Sequence, residues 1–198
     1  MPLADDETIG VGSGALAALA ERLNGEVRRG SYDDGSGVPA VELPAYHDRV
    51  CFEVRGVELS YYVSRVERGE VGPAITDALY TRLMLTVAED RPSFHIVPET
   101  LWTKLTSKLG AQDIRTGDSA YDDAFMIKCD SPDWLKGCLG STFRAMHQGH
   151  PRVIVRHLDH RLEALHDHLA PDTPAAVEER AQALVELETR VRRSAIYR

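Results

Sequence analysis

Histidine is the residue whose type and spacing most invite a chemical reading in this 198-residue chain. Six of the eight lie within 22 residues: His147, His150, His157, His160, His166 and His168. Neutral imidazole is a good ligand for zinc, copper and nickel, so a run like this is where a metal centre would be sought first. The intervals are three, seven, three, six and two residues, and contain neither HExxH nor HxxxH. On one helix, His157 and His160 would share a face, with His168 about 16 Å along the axis from His157. On a hairpin, His157 and His166 would flank an apolar face and His160 would sit in the turn. Neither arrangement gathers three imidazoles, so the six read as solvated or hydrogen-bonded groups. A metal-dependent protein or enzyme using segment 147–168 is the alternative. A pH-responsive surface is a third use, since imidazole titrates near neutrality.

Carboxylates cluster in Thr116-Gly117-Asp118-Ser119-Ala120-Tyr121-Asp122-Asp123. Such clusters can bind Ca²⁺ or Mg²⁺, but the EF-hand order, with acidic residues around a glycine and a closing Glu, is missing. Asp118, Asp122 and Asp123 read as turn and strand-start residues. The three cysteines, Cys51, Cys129 and Cys138, are odd in number, widely spaced and without CxxC. They read as inert thiols in regular apolar elements, and as a sign of a reducing, cytoplasmic setting. GxSxG and the P-loop are absent, and the glycines of 30–37 are not spaced as GxGxxG. No catalytic residue, cofactor site or metal site is therefore assigned.

Formal charge is −8, from 23 basic and 31 acidic residues. Residues 1–149 carry 15 basic and 23 acidic groups, and residues 150–198 carry eight of each, so the whole deficit lies in the first part. An acidic chain repels phosphate backbones and anionic lipid surfaces, which argues against nucleic acid as a partner. No run approaches 18 apolar residues, so no membrane span is predicted, and the acidic start MPLADDETIG lacks the apolar region of a secretory signal.

The elements that must position these groups follow from periodicity. Residues 1–12 are expected to be flexible. Leu16, Leu19, Ala20 and Leu23 predict a helix over 14–23, with Ser13 as N-cap and Asn24-Gly25 as a left-handed stop. The period then changes to two. Val50, Phe52 and Val54, then Leu59, Tyr61 and Val63, predict a hairpin turning near Arg55-Gly56. Leu79, Leu83, Leu85 and Val87 predict a long strand, Phe94 and Ile96 a shorter one, and residues 38–43 an edge strand flanked by prolines. One buried face is expected for this antiparallel sheet.

Helices enter next. Pro98 is placed at the start of one running to about Leu109. A strand over Ala124 to Cys129 precedes the clearest helical stripe: Ser131 as N-cap, Pro132 at N1, then Leu135, Cys138, Leu139, Thr142, Phe143 and Met146 read as one helix. A last helix begins at Thr173-Pro174 and carries Val177, Ala181, Leu184, Leu187 and Val191.

Residues 152–169 admit two readings. Val153-Ile154-Val155 is β-branched, and a hairpin turning at Asp159-His160 would pair Arg156 with Glu163 and Ile154 with Leu165. Yet Val155, Leu158, Leu162, Leu165 and Leu169 keep three-four helical spacing.

The run Phe94, Ile96, Pro98, Glu99, Thr116, Gly117, Asp118, Tyr121, Asp122 and Phe125 resembles a poorly characterised family of bacterial proteins of unknown function. In that family a short strand leads into a Pro-Glu helix start, and a TGD…(F/Y)D…F segment precedes a strand and an amphipathic helix. The resemblance implies an α+β fold and a hairpin in 152–168. Family members often follow transmembrane helices, and this chain shows none.

The expectation is one α+β domain over 1–198: a mainly antiparallel sheet of six to eight strands with about four helices packed on one face. The leading functional expectation is a non-enzymatic, cytoplasmic module whose partner is another protein. The alternatives are the metal-dependent reading of segment 147–168 and a structural subunit of a larger protein assembly.

Overall fold

A two-residue reversal organises the first strands. Arg55 and Gly56 both take positive φ, 53° and 78°, the conformation that a tight hairpin with right-handed strand twist demands. It joins β2 (Arg49–Val54) to β3 (Val57–Val66) in antiparallel register, with Val54 opposite Val57 and Phe52 opposite Leu59. In the computed structural model the described residues are 13–28, 49–66, 78–87, 90–99, 114–158, 160–167 and 173–194. The expected flexible start, the loop at 30–37, the edge strand at 38–43 and residues 100–109 of the expected second helix lie outside them.

The described elements run α1 (Ser13–Arg22), β1 (Glu26–Arg28), β2, β3, β4 (Ala78–Thr86), β5 (Phe94–Pro98), α2 (Ser119–Ala124) and β6 (Phe125–Cys129). Then come α3 (Pro132–Cys138), α4 (Ser141–Gln148), β7 (Val153–Leu158), β8 (Arg161–Asp167) and α5 (Pro174–Arg193). The class is α+β, with eight strands and five helices among the described residues. Two compact units divide the chain: Met1–Leu85 with Leu165–Glu179, and Thr86–Ala164 with Arg180–Arg198.

In the first unit the strands follow the order β1-β2-β3-β4, each pair antiparallel. α1 packs on β1 and β2; its Leu16, Leu19 and Ala20 are buried, as are Val50, Phe52, Leu59 and Tyr61 on one face of the sheet. The expectation of one buried face is too simple here. Cys51, Ser60 and Tyr62 point to the opposite face and are buried as well, and the Cys51 thiol lies 3.6 Å from the Ser60 hydroxyl. α1 ends as expected at Asn24, whose φ is 51°. The Gly25 N–H closes the turn on the Ala20 carbonyl at 2.8 Å. Gly25 is required for a different reason: a methyl group there would collide with the Cys51 carbonyl and the Phe52 side chain.

In the second unit β8, β7, β5 and β6 follow in that order. Phe94 stands opposite Cys129 on one side and His157 on the other. The region 152–169 is the hairpin: His160 takes φ 61° in the turn, and the Arg156 guanidinium donates to Glu163 at 2.8 Å. The helical spacing of Val155, Leu158, Leu162 and Leu165 is thus overridden by β-branching and by a cross-strand ion pair.

Two expectations are corrected. Pro98 does not open a helix: it is the last residue of β5, opposite Phe125, and helix begins after it, at Glu99. The stripe from Ser131 to Met146 is not one helix. It breaks into α3 and α4 at Leu139, whose ψ of 66° is non-helical. The Arg190 guanidinium of α5 lies where a side chain on residue 140 would begin, beside the turn that the chain makes at Gly140. Ser131, the expected cap, makes no side-chain capping bond, whereas Asp118 caps α2 by accepting the Tyr121 N–H.

Candidate functional site

The structure scatters the histidine run. His147 and His157 are buried, at 3% and 1% exposure. His150 and His166 are half-buried, His160 sits in the hairpin turn, and His168 lies outside the described residues. His157 stacks on Phe94 and makes a 3.1 Å hydrogen bond with the Pro92 carbonyl. Among the described residues no three His, Cys, Asp or Glu side chains converge as metal ligands would. His147 and His150 do come together on one small internal cavity, with Arg180, Phe143 and Val153.

Among the described histidines, His147 has both ring nitrogens engaged inside the core. Its Nε2 lies 2.9 Å from the Val153 carbonyl oxygen, which can only accept, so Nε2 carries the hydrogen. Nδ1 is then an acceptor, and the Tyr121 hydroxyl, 2.8 Å away, donates to it. Phe125 and Phe143 stack on the ring, with centroids at 4.2 and 5.4 Å. Burial pushes the imidazole pKa down to about 4, despite the bond to Val153, and nearby His150 lowers it further. Burial likewise pushes the Tyr121 phenol upward. The pair is a neutral structural tie, shielded from substrate.

Of the carboxylate cluster, Asp122 turns inward, Asp118 is half-buried and Asp123 is exposed. Asp122 accepts the Thr116 N–H at 2.8 Å, the Thr116 hydroxyl at 2.7 Å and the Gly117 N–H at 3.1 Å. Gly117 supplies the φ of 88° that aims this turn at Asp122. Burial opposes the Asp122 charge, but the Thr116 and Gly117 donors and the Arg115 charge outweigh it and hold the pKa below the usual carboxylate range. Asp118 pairs with Arg144 at 3.2 Å. The TGD…YD segment is therefore a self-capped loop around α2.

The thiols lack the electropositive exposure that reactivity needs. Cys51 and Cys138 are buried and Cys129 is half-buried, all three free. Burial pushes Cys129 up to about 11 and Cys138 upward.

The open concavity lies in the first unit, where the sequence reading placed no site. A groove of about 470 Å³ is lined by Leu23, Asn24 and Gly25 after α1, and by Glu26, Arg28, Glu53 and Glu58. β1, the terminal strand of the described order, forms one side. Arg28 donates to Glu26 at 2.5 Å and to both oxygens of Glu58 at 3.0 and 3.1 Å, and these two carboxylates raise its pKa. Glu53 stands directly opposite Glu58 in the ladder, a like-charge pair that costs free energy unless something positive relieves it. Three carboxylates against one guanidinium leave the groove acidic. Sequence reasoning missed it because Glu26 and Arg28 are some thirty residues from Glu58 and meet it only through the register of β1, β2 and β3. The like-charged positions flanking the Arg55-Gly56 turn were its one visible sign.

No family model matches the chain, and no curated protein does. Among solved structures the chain is similar to the crystal structure of the mycobacterial trehalose monomycolate transport factor A, TtfA, at 12% identity and a TM-score of 0.56. The alignment covers 91% of this chain and 96% of that one. At that identity the likeness is one of fold alone.

Proposed function

We propose that this protein is a non-enzymatic module that binds another protein, and that the groove beside β1 is where it does so. The observation that carries the reading is the concavity itself: about 470 Å³, bounded by β1, the terminal strand among the described residues, and lined by ionic side chains from three strands. A sheet edge offers main-chain hydrogen bonds to an added segment, and flanking charges select its side chains. By contrast, the groups that invite chemistry, His147, Asp122 and the three thiols, are held by internal partners or burial. A cytoplasmic setting fits unpaired cysteines.

A second reading is a structural subunit of a larger protein assembly. Both are tested by affinity purification of the full chain from its native cell, beside a Glu53→Lys variant. The first reading expects one co-eluting protein at stoichiometric yield, lost from the variant. Equal recovery by both chains would move the partner surface elsewhere. Elution of the chain alone, as a monomer by light scattering, would overturn both readings.

A further inference from the structure

We propose that the packing of α4 against α2 and β6 is an acid-labile latch, operated by a second proton on His147. Both nitrogens of the neutral ring are committed, Nε2–H to the Val153 carbonyl and Nδ1 to the Tyr121 hydroxyl. A second proton can only go to Nδ1. It sets a new donor against the Tyr121 O–H, so one of the two must turn away. The hydroxyl can rotate and accept, but its own hydrogen is then turned away from its acceptor inside the core, with the Phe125 ring beside Tyr121, where an unpaired donor is costly.

The surroundings offer the imidazolium little relief. From α4 and the turn after it come Arg144 and His150, from α2 Asp118 and Asp122, and from α5 Arg180. Arg144 and Asp118 engage each other. Asp122 is taken up by Thr116 and Gly117. His150 and Arg180 share the cavity with His147, and His150 disfavours a charge on the His147 ring. β6 and β7 present Phe125, Val153 and Val155, which are apolar.

The position of the ring makes this local. Backbone bonds from Gly149 to Met146, from His150 to His147 and from Val153 to His150 form the turn that links α4 to β7, and the His147 side chain closes it onto Val153. Opening at Tyr121 therefore frees the end of α4 together with that turn. The depressed imidazole pKa accords with this, because the proton is taken up readily only once the ring is exposed.

Hydrogen exchange of the full chain, corrected for the intrinsic pH dependence of exchange, tests the latch. Between about pH 6.5 and 5, protection over 119–129 and 141–155 is expected to fall about tenfold or more relative to 50–62. His147→Gln, which keeps an amide donor for Val153, is expected to abolish that fall while folding at neutral pH. Constant protection in the native chain, or the same fall in the variant, would overturn the proposal. Should the variant not fold, ring nitrogen shifts of the native chain decide: an imidazolium signal from His147 inside a still-protected segment overturns it. The neutral Nε2–H tautomer persisting until protection is lost upholds it.

Discussion

Buried side chains in this protein earn their places by what they accept. Asp122 satisfies two backbone N–H groups and a hydroxyl, so Asp122→Asn replaces a charged acceptor by a neutral amide and leaves at least one donor poorly served. A loss of about 1.5–3 kcal/mol is expected in denaturant unfolding, the usual range for hydrogen bonds to a charged group. A change below about 0.5 kcal/mol would mean the loop does not depend on the charge. Phe143 is 1% exposed and stacks on His147. Phe143→Ala is expected to cost about 3–5 kcal/mol by the same measurement. A loss below about 1 kcal/mol would mean that the surrounding rings collapse to fill the space.

At the scale of elements, the break between α3 and α4 is the feature most exposed to test. Alanine is the best helix former, and in an isolated peptide Gly140→Ala would stabilise helix by about 1 kcal/mol. In the folded chain the added methyl meets the Arg190 guanidinium, itself held to Glu186 at 2.8 Å. That guanidinium is the end of a flexible, part-exposed side chain and can move aside, so Gly140→Ala is expected to change stability by less than about 1 kcal/mol, with little non-additivity against Arg190→Ala in a double-mutant cycle. A large loss recovered by Arg190→Ala would show that the guanidinium is held in place. The hairpin of β7 and β8 makes a related point. Its apolar residues satisfy a helical pattern, but β-branched residues and the Arg156–Glu163 pair settle it as strand once β5 lies alongside β7.

For the molecule as a whole, acid acts in one direction. His147 and His95 are both depressed by burial, His95 also by the Arg156 charge. Unfolding lets each take up a proton below about pH 6.5, so their contribution is complete above that value and is lost as pH falls toward the folded values. Asp122, a depressed carboxylate, adds stability that disappears at still lower pH. A urea midpoint that rises from pH 5 to pH 7 is the expected outcome, and a midpoint independent of pH would contradict it. Elemental analysis of protein purified without a metal column is expected to find no stoichiometric zinc; near-stoichiometric zinc, lost in His160→Ala, would restore the metal-dependent reading of segment 147–168. Local pattern was enough to read the α+β class, the hairpin at Arg55-Gly56, α1 with its Asn24 stop, β6 and α5, because each depends on residues within one or two turns of one another. The tertiary structure alone decided the rest. Arg190 of α5 lies against Gly140 where one stripe becomes two helices, Tyr121 finds His147 across 26 residues, and strand register brings Glu58 to Arg28 and sets Glu53 opposite Glu58. Periodicity carries information about a face but none about what packs on it: Arg28 meets Glu58 across 30 residues and Tyr121 meets His147 across 26.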